Sequence, residues 1–445
     1  MTMPAMNLLL VLSLVFAGFT GSAQLACGSI AEDSATPGLL QEIAPNDFSS
    51  RLNFSYEEID RHALSAPASA RASDESLAAY LIQPAKNDRE KARAIFRWIA
   101  GNIDYNVDAF FKGGSGPTAP GDVLKGGKSV CYGYSNLFLA LAEQAGLEAV
   151  MISGYGKGYG YQPGRNFSGP SNHAWNAVKI NGSWYLIDST WGAGYVSGAG
   201  KYVRKFDEHY FMTPPSQFIY NHLPEEEQWQ LLDSPMSEEQ FESLPYLESD
   251  FFSLGLELVG IDSGTIQAAG RANISIKAPE DVLMTAGLEY AGASGRASLE
   301  RRTFCQRKGG RYEILAEFPE AGEYILKAYA GKRGSGDEFS SVMELGINAT
   351  SGAKGGKGFP LAYSAFTEAG AYLYSPMQGS LKAGESYWFR IEVPGAQEVA
   401  VVSGKEWSRL ASRGGAFEGN ATVGKGETGV YAKIEGAEWD GMVGY

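Results

Sequence analysis

The chain has 445 residues, and 37 Lys and Arg against 51 Asp and Glu give a formal net charge of −14. That length suits roughly three domains of about 150 residues, and 44% hydrophobic with 12% aromatic residues is enough to build real cores. The acidic balance argues against a nucleic-acid binder or a polybasic membrane-surface protein, and three cysteines and four histidines make neither a disulfide scaffold nor a zinc-spaced cluster.

In chain order, Leu8 to Phe19 is an apolar run broken only by Ser13 and Gly18. It falls short of the ~20 residues that span a bilayer. It has the length of a signal-peptide core, with small residues at Gly21 and Ala23 before Gln24. Residues 1–23 are therefore expected to be a signal peptide, although no Lys or Arg precedes the run. Cys27, between Ala26 and Gly28, offers a lipid anchor as the second reading. Both readings place the mature protein outside the cytosol, secreted or at the cell surface, with no membrane span. Residues 24–73 form a polar segment with a short helix near Tyr56–His62.

From Asp74 the pattern sharpens, and residues 74–250 are assigned to one domain. Asn87 caps a helix in which Ala92, Ile95, Phe96, Ile99, Ala100 and Ile103 recur at helical spacing. The Gly- and Pro-rich stretch from Lys112 to Gly127 is expected as a loop. Val130-Cys-Tyr-Gly-Tyr-Ser then runs into a second helix, which Gly146 ends. A strand over Ala149–Ser153 leads to a Gly/Tyr loop reaching Asn172. His173–Ile180 and Ser183–Asp188 flank Asn181-Gly182, the sequence of a two-residue type I′ hairpin. Beyond Phe251 short alternating segments separated by turn residues predict a β-sandwich over 251–350. Within it, Pro319-x-x-Gly322-x-Tyr324 suits a tyrosine corner. The Gly-rich 351–358 stretch is expected as a linker, and 359–445 as a second sandwich.

Few residues are left to carry chemistry. Cys131 falls at the start of a helix, where the unpaired N–H groups and the dipole favour a thiolate and can receive an oxyanion. A two-residue turn at 181–182 makes His173 and Asp188 diagonal neighbours on one face of the hairpin, about 7 Å apart at Cβ. An imidazole–carboxylate bond there would complete a nucleophile, base and orienting acid. The alternatives are a Cys that is only a small buried hydrophobe and an Asp188 that only closes the turn. His62 is expected to be exposed, His209 and His222 structural, and Cys305 buried in the first sandwich. Trp175, Trp191, Tyr155 and Tyr159, with Tyr161, are candidates to wall a cleft, the tryptophans equally as core aromatics.

Lys91-Ala-Arg-Ala-Ile-Phe-Arg-Trp-Ile-Ala, Val130-Cys-Tyr-Gly-Tyr-Ser-Asn-Leu-Phe, His173-Ala-Trp-Asn-Ala-Val and Trp184-Tyr-Leu-Ile-Asp-Ser-Thr-Trp-Gly resemble the transglutaminase-like superfamily. Within it they look most like the kyphoscoliosis peptidase subgroup, as do Gly154-Tyr-Gly-Lys-Gly, His209-Tyr-Phe and the stretch through His222 and Trp229. The resemblance implies an α+β chain: a papain-like transglutaminase core followed by two immunoglobulin-like β-sandwich modules. It maps Cys131 to the nucleophile, His173 to the base and Asp188 to the acid. It leaves the second oxyanion donor open, with Asn102 and Tyr105 candidates by position. The expected function is a thiol acyl-transfer enzyme, a protease or amide hydrolase acting on a protein or peptide substrate. The alternatives are a protein cross-linking enzyme and a cell-surface binding protein of the same fold. No calcium loop is present, and no cofactor or metal is expected.

Overall fold

The computed structural model describes residues 55–292, 295–334, 339–434, 436 and 438–445. The expected signal peptide and the candidate anchor Cys27 lie outside these residues. Three helices lead: α1 (Glu57–Leu64), α2 (Asp74–Leu81) and α3 (Asp88–Asn102). Strand β1 (Asp104–Tyr105), helices α4 (Val107–Phe111) and α5 (Pro120–Gly126) and strand β2 (Lys128–Ser129) precede the helix α6 (Cys131–Gln144). Then come β3 (Glu148–Gly156), β4 (His173–Ile180), β5 (Ser183–Ile187), β6 (Gly194–Val196), β7 (Tyr202–Arg204), β8 (Phe211–Thr213), α7 (Pro215–Phe218) and β9 (His222–Pro224). The sheet order is β8-β5-β4-β3-β9 and every pairing is antiparallel.

The helices cover one side of this sheet. Asn87 caps α3 by accepting the Glu90 N–H, and the periodic residues Ile95, Phe96 and Ile99 are fully buried with Phe138 and Leu141 of α6. Each such side chain contributes about 1.5–3 kcal/mol of burial. The hairpin has the expected register: Ile180 faces Ser183 and Asn176 faces Ile187. Asn181 and Gly182 both have positive φ, 50° and 85°, as a type I′ turn requires.

Two expectations shift. The described end of the polar segment before Asp74 is part of the core: Ile59 and Ala63 of α1 are buried, and the buried Arg93 of α3 donates two 2.7 Å bonds to Asp60. The packed core thus reaches back to Tyr56 rather than starting at Asp74. The 112–127 stretch is not all loop either. It holds α5, with Pro120 in its first turn and Gly127 as a left-handed C-cap. Its Pro and Gly mark the ends of a short helix.

The first sandwich starts at Tyr246–Leu247, which pairs with Ser340–Ser351. It is one continuous sheet curled on itself. Thr265–Ala269 runs parallel to Ser340–Ser351 and meets Arg271 through Ala269, joining the two halves. Ile274, Ile314, Leu288, Leu326 and Leu345 fill the interior. Tyr324 Oη donates to the Glu320 carbonyl at 3.0 Å, forming the expected tyrosine corner. The second sandwich packs a five-stranded on a four-stranded sheet around Phe389, Ile391, Val401 and Val430.

The Gly-rich stretch between the sandwiches is held down. Buried Glu317 accepts the Gly358 N–H at 2.7 Å and pairs with Arg302 and Arg271 at 2.6 and 2.7 Å. Phe304 of the first sandwich sits in the core of the second. Glycine here serves close packing: a Cβ on Gly352 would stand 2.3 Å from the Pro319 carbonyl oxygen.

Candidate active site at the start of helix α6

Cys131 is the first residue of α6, after Val130 in extended conformation. Its N–H is one of the first-turn donors that no intrahelical carbonyl can accept. The helix start is fixed by what crosses it. Strand β2 pairs in parallel with β1, Tyr105 opposite Ser129, and passes so near α6 that a Cβ on Gly133 would stand 2.0 Å from Ser129 Oγ. Ser129 donates to the Pro117 carbonyl at 2.8 Å, and Tyr134 of α6 to the Ile103 carbonyl at 2.7 Å.

The hairpin delivers the other groups. His173 Nε2 lies 2.7 Å from Asp188 Oδ2. That leaves Nδ1 as the ring nitrogen free for the Cys131 thiol, whose nearness is one of the causes that raise the His173 pKa. Asp188 does two jobs at once. Its Oδ1 accepts the N–H groups of Thr190 and Trp191 at 2.8 and 3.1 Å, closing the turn after β5. Its Oδ2 faces the imidazoles. The side chain is wholly buried, and Cys131 and His173 are each only 6% exposed.

A second imidazole shares Oδ2. His222 Nε2, from the start of β9, lies 3.0 Å from it. The two rings are driven apart. Burial opposes the charge on both, but the Asp188 carboxylate and the thiol overcome it at His173, whose pKa rises to about 10. At His222 burial wins over the same carboxylate, and its pKa falls to about 4. Burial would raise the Asp188 pKa, yet the two imidazoles hold it below the usual carboxylate range. The ligand-type atoms of His173, Asp188 and His222 lie within 4.8 Å of one another. At 2.7 and 3.0 Å both rings already bond one oxygen, closer than the roughly 3.3 Å between donors around a tetrahedral zinc. This set is a hydrogen-bonded relay.

The other candidates divide. Trp175 is 1% exposed. It packs behind the relay, its ring 5.8 Å from His173 and 5.1 Å from His222, and walls no cleft. Trp191 is partly exposed and lies across both imidazoles, 5.3 Å from His173 and 4.3 Å from His222. Tyr155 of β3 packs on Phe167 and donates to the Gly169 carbonyl, which ties down the loop that follows the strand. Tyr161 stacks on Phe167 likewise. Tyr159 is exposed and meets Phe110 and Phe111 edge-on. Gly156 packs against His173, and β1 sits beside β2. These ring contacts therefore link the segment on the Cys131 side to the loop on the His173 side. Asn102 is spent elsewhere: its amide N–H donates to the Trp98 carbonyl and its oxygen accepts from Arg71. His62 is not free in solvent but stacks on Tyr80 and bonds its carbonyl. His209 stacks on Phe252, a structural role as expected. Cys305 is buried, and burial pushes its thiol well up. The residue whose part in the site was missed is His222. Its signal was the sequence Asn221-His222, but no periodicity places β9 beside β3.

A cysteine at a helix start, facing a histidine and an aspartate on an antiparallel sheet with β-sandwiches behind, defines a thiol-type α+β core followed by immunoglobulin-like modules. In comparisons, residues 75–189 match the transglutaminase-like superfamily, and residues 238–360 the KY-like, immunoglobulin-like domain. The chain is 35% identical to the kyphoscoliosis peptidase of Mus musculus and 34% to that of Homo sapiens, over 291 residues, 65% of this chain and 42% of each relative. It is 35% identical to Hillarin of Drosophila melanogaster over 242 residues, 51% of this chain and 29% of that protein. The match spans less than half the length of each of these relatives. Among the described residues no helix is long and apolar enough to cross a membrane.

Proposed function

We propose that the protein is a cysteine-dependent acyl-transfer enzyme, a protease or amide hydrolase that acts on peptide or isopeptide bonds through Cys131, His173 and Asp188. The observation that carries this reading is the buried 2.7 Å bond from His173 Nε2 to an ionised Asp188 carboxylate, with the thiol of Cys131 at a helix start among the groups that act on the imidazole. Asp188 accepts the Nε2–H of His173, so Nδ1 takes the thiol proton and a thiolate–imidazolium pair forms. The thiolate adds to the substrate carbonyl carbon. The oxyanion is received by the first-turn N–H groups of α6, that of Cys131 among them. As the tetrahedral intermediate collapses, the C–N bond breaks and His173 gives its proton to the leaving amine, leaving a thioester. Water then attacks, with His173 as base, and releases the acid and the thiol. Trp191 and the Tyr159 loop form the rim of the substrate cleft in this scheme, and the action is extracellular.

The test is labelling of the mature protein with iodoacetamide near neutral pH, with each thiol followed by mass spectrometry. Fast alkylation of Cys131 and slow alkylation of Cys305 is expected. Cleavage of a peptide library without incorporation of a primary amine would support hydrolysis. Amine incorporation would instead make the protein a cross-linking enzyme. Equal, slow labelling of both thiols would overturn the reading and leave a binding protein with this fold.

A further inference from the structure

We propose that His222 is a positioning residue for this site, sharing Asp188 Oδ2 with His173 and thereby limiting how strongly the carboxylate holds the proton on His173. The inference rests on the acyl-transfer reading. Its basis is the competition of two imidazoles for one carboxylate oxygen, at 2.7 and 3.0 Å, in a fully buried setting. An Asp188 with His173 as its only ring partner would spend all of its Oδ2 charge there. The imidazolium would then be well formed but slow to release its proton to a leaving amine, because a general acid works best with a pKa near the operating pH. A second donor on the same oxygen draws off part of that charge while helping to keep the carboxylate ionised.

The rest of the His222 environment suits this role. Its ring stacks on Phe218 with centroids 3.9 Å apart and meets Trp191 at 4.3 Å, which fixes its plane. Among the described residues the titratable groups facing it are Asp188, His173 at 5.2 Å and Tyr210 at 6.0 Å between ring centroids. Those facing His173 are Cys131, Asp188 and His222. The neutral form of His222 gives its single hydrogen to Asp188 from Nε2, and Nδ1 becomes an acceptor. Asn221 Oδ1 stands 2.6 Å from Nδ1 and accepts from it in the charged ring; the neutral ring is served by the same amide turned over, with its NH2 donating to Nδ1. An aspartate in that place accepts only, and would favour the charged ring.

The experiment is the pH profile of Cys131 alkylation by iodoacetamide, measured on the full mature chain for wild type, His222→Phe, His222→Gln and Asn221→Asp. The upper limb of the profile reports loss of the His173 proton. His222→Phe removes the competing donor and is expected to move that limb up by about one pH unit. His222→Gln, which keeps an N–H for Oδ2, is expected to stay close to wild type. Asn221→Asp charges His222, strengthens the competition and is expected to move the limb down. An upper limb that stays put in both His222→Phe and Asn221→Asp, or that moves down in His222→Phe, would overturn the proposal. If His222→Phe does not fold, Asn221→Asp decides alone. A wild-type profile with no acid-stable reactive plateau would instead count against the acyl-transfer reading itself.

Discussion

The surroundings of Cys131 and Cys305 make an instructive contrast. Both are free thiols, 6% and 9% exposed, so burial does not separate them. Cys305 lies on the Thr303–Lys308 strand opposite Ile314, among apolar side chains, and burial there penalises the charged form without compensation. Cys131 lies at a helix start with an imidazole beside it, and that imidazole is kept charged by a carboxylate. On the proposed reading the difference teaches that a buried thiol becomes a nucleophile through its partner, and that the partner needs a partner of its own.

The sharpest test of this contrast is removal of each sulfur. Cys131→Ala is expected to abolish turnover with a stability change within about 1–2 kcal/mol. Cys305→Ala is expected to leave turnover intact, at a cost of similar size for the lost packing. Activity that survives the first change and disappears with the second would reverse the assignment. Peptide cleavage and thermal unfolding read both effects.

The next effect in size concerns the carboxylate. In Asp188→Asn the remaining oxygen can still accept from Thr190 and Trp191, so the turn can close. The new NH2 would face Nε2 of both His173 and His222, donor against donor. His173 would relieve this by moving its hydrogen to Nδ1, which turns the wrong tautomer toward Cys131. Turnover is expected to fall by up to ~10⁴-fold, the loss the same exchange causes in a serine protease triad. A thiol enzyme can lose less, because the thiolate–imidazolium pair needs less help. Unchanged turnover, with an unshifted Cys131 alkylation profile, would leave a Cys131–His173 dyad.

A smaller effect tests what positions Cys131. Gly133→Ala places a methyl group 2.0 Å from Ser129 Oγ and 3.0 Å from a Val123 methyl, both on fully buried residues. Overpacking of this kind costs about 1–3 kcal/mol, and here it would push β2 away from the first turn of α6. A lowered melting temperature is expected, with slower Cys131 alkylation. Adding Ser129→Gly should recover part of both, although the bond to the Pro117 carbonyl is lost. Alkylation at the wild-type rate in Gly133→Ala would show that β2 does not set the nucleophile's position.

Much of this site was legible from local rules. An Asn-Gly turn fixes hairpin register, and register alone brings His173 to Asp188. Helical spacing placed Cys131 at a helix start. The two readings of Asp188, turn closure and imidazole partner, looked exclusive in sequence, yet each takes one carboxylate oxygen. What stayed hidden depends on long-range packing. His222 reaches Asp188 because β9 adds to the far edge of β3, Gly156 opposite His222, and no periodicity encodes that pairing. Trp175 is hidden in the core because β4 is the central strand, covered on both faces, so alternation along it could not tell cleft from core. The 351–358 stretch has linker composition, but its glycines fit close against Pro319 and Glu317, a distinction that composition does not carry.

The smallest effect separates the two imidazoles on Asp188 by their opposite links to stability. An unfolded histidine titrates near 6.5. Native His222 titrates at about 4, so between those values the unfolded chain holds a proton that the native protein lacks. Its contribution to stability is therefore lost as pH falls from 6.5 toward 4. Native His173 titrates at about 10, so its contribution is complete below 6.5 and is lost as pH rises toward 10. Two other buried groups run against these slopes. Burial raises Glu248 to about 7, which adds stability as pH falls from 7 toward 4.5, and lowers Lys157 to about 7, which adds stability as pH rises from 7 toward 10.5. The informative quantity is accordingly the difference between variant and wild type at each pH, taken from urea unfolding. His222→Gln is expected to flatten mainly the acid side, by about 1–3 kcal/mol, and His173→Gln mainly the alkaline side, with a smaller change on the acid side because the His173 charge helps to lower His222. If both variants change mainly the same side, the two rings are not held in opposite charge states, and the division of labour on Asp188 fails with them.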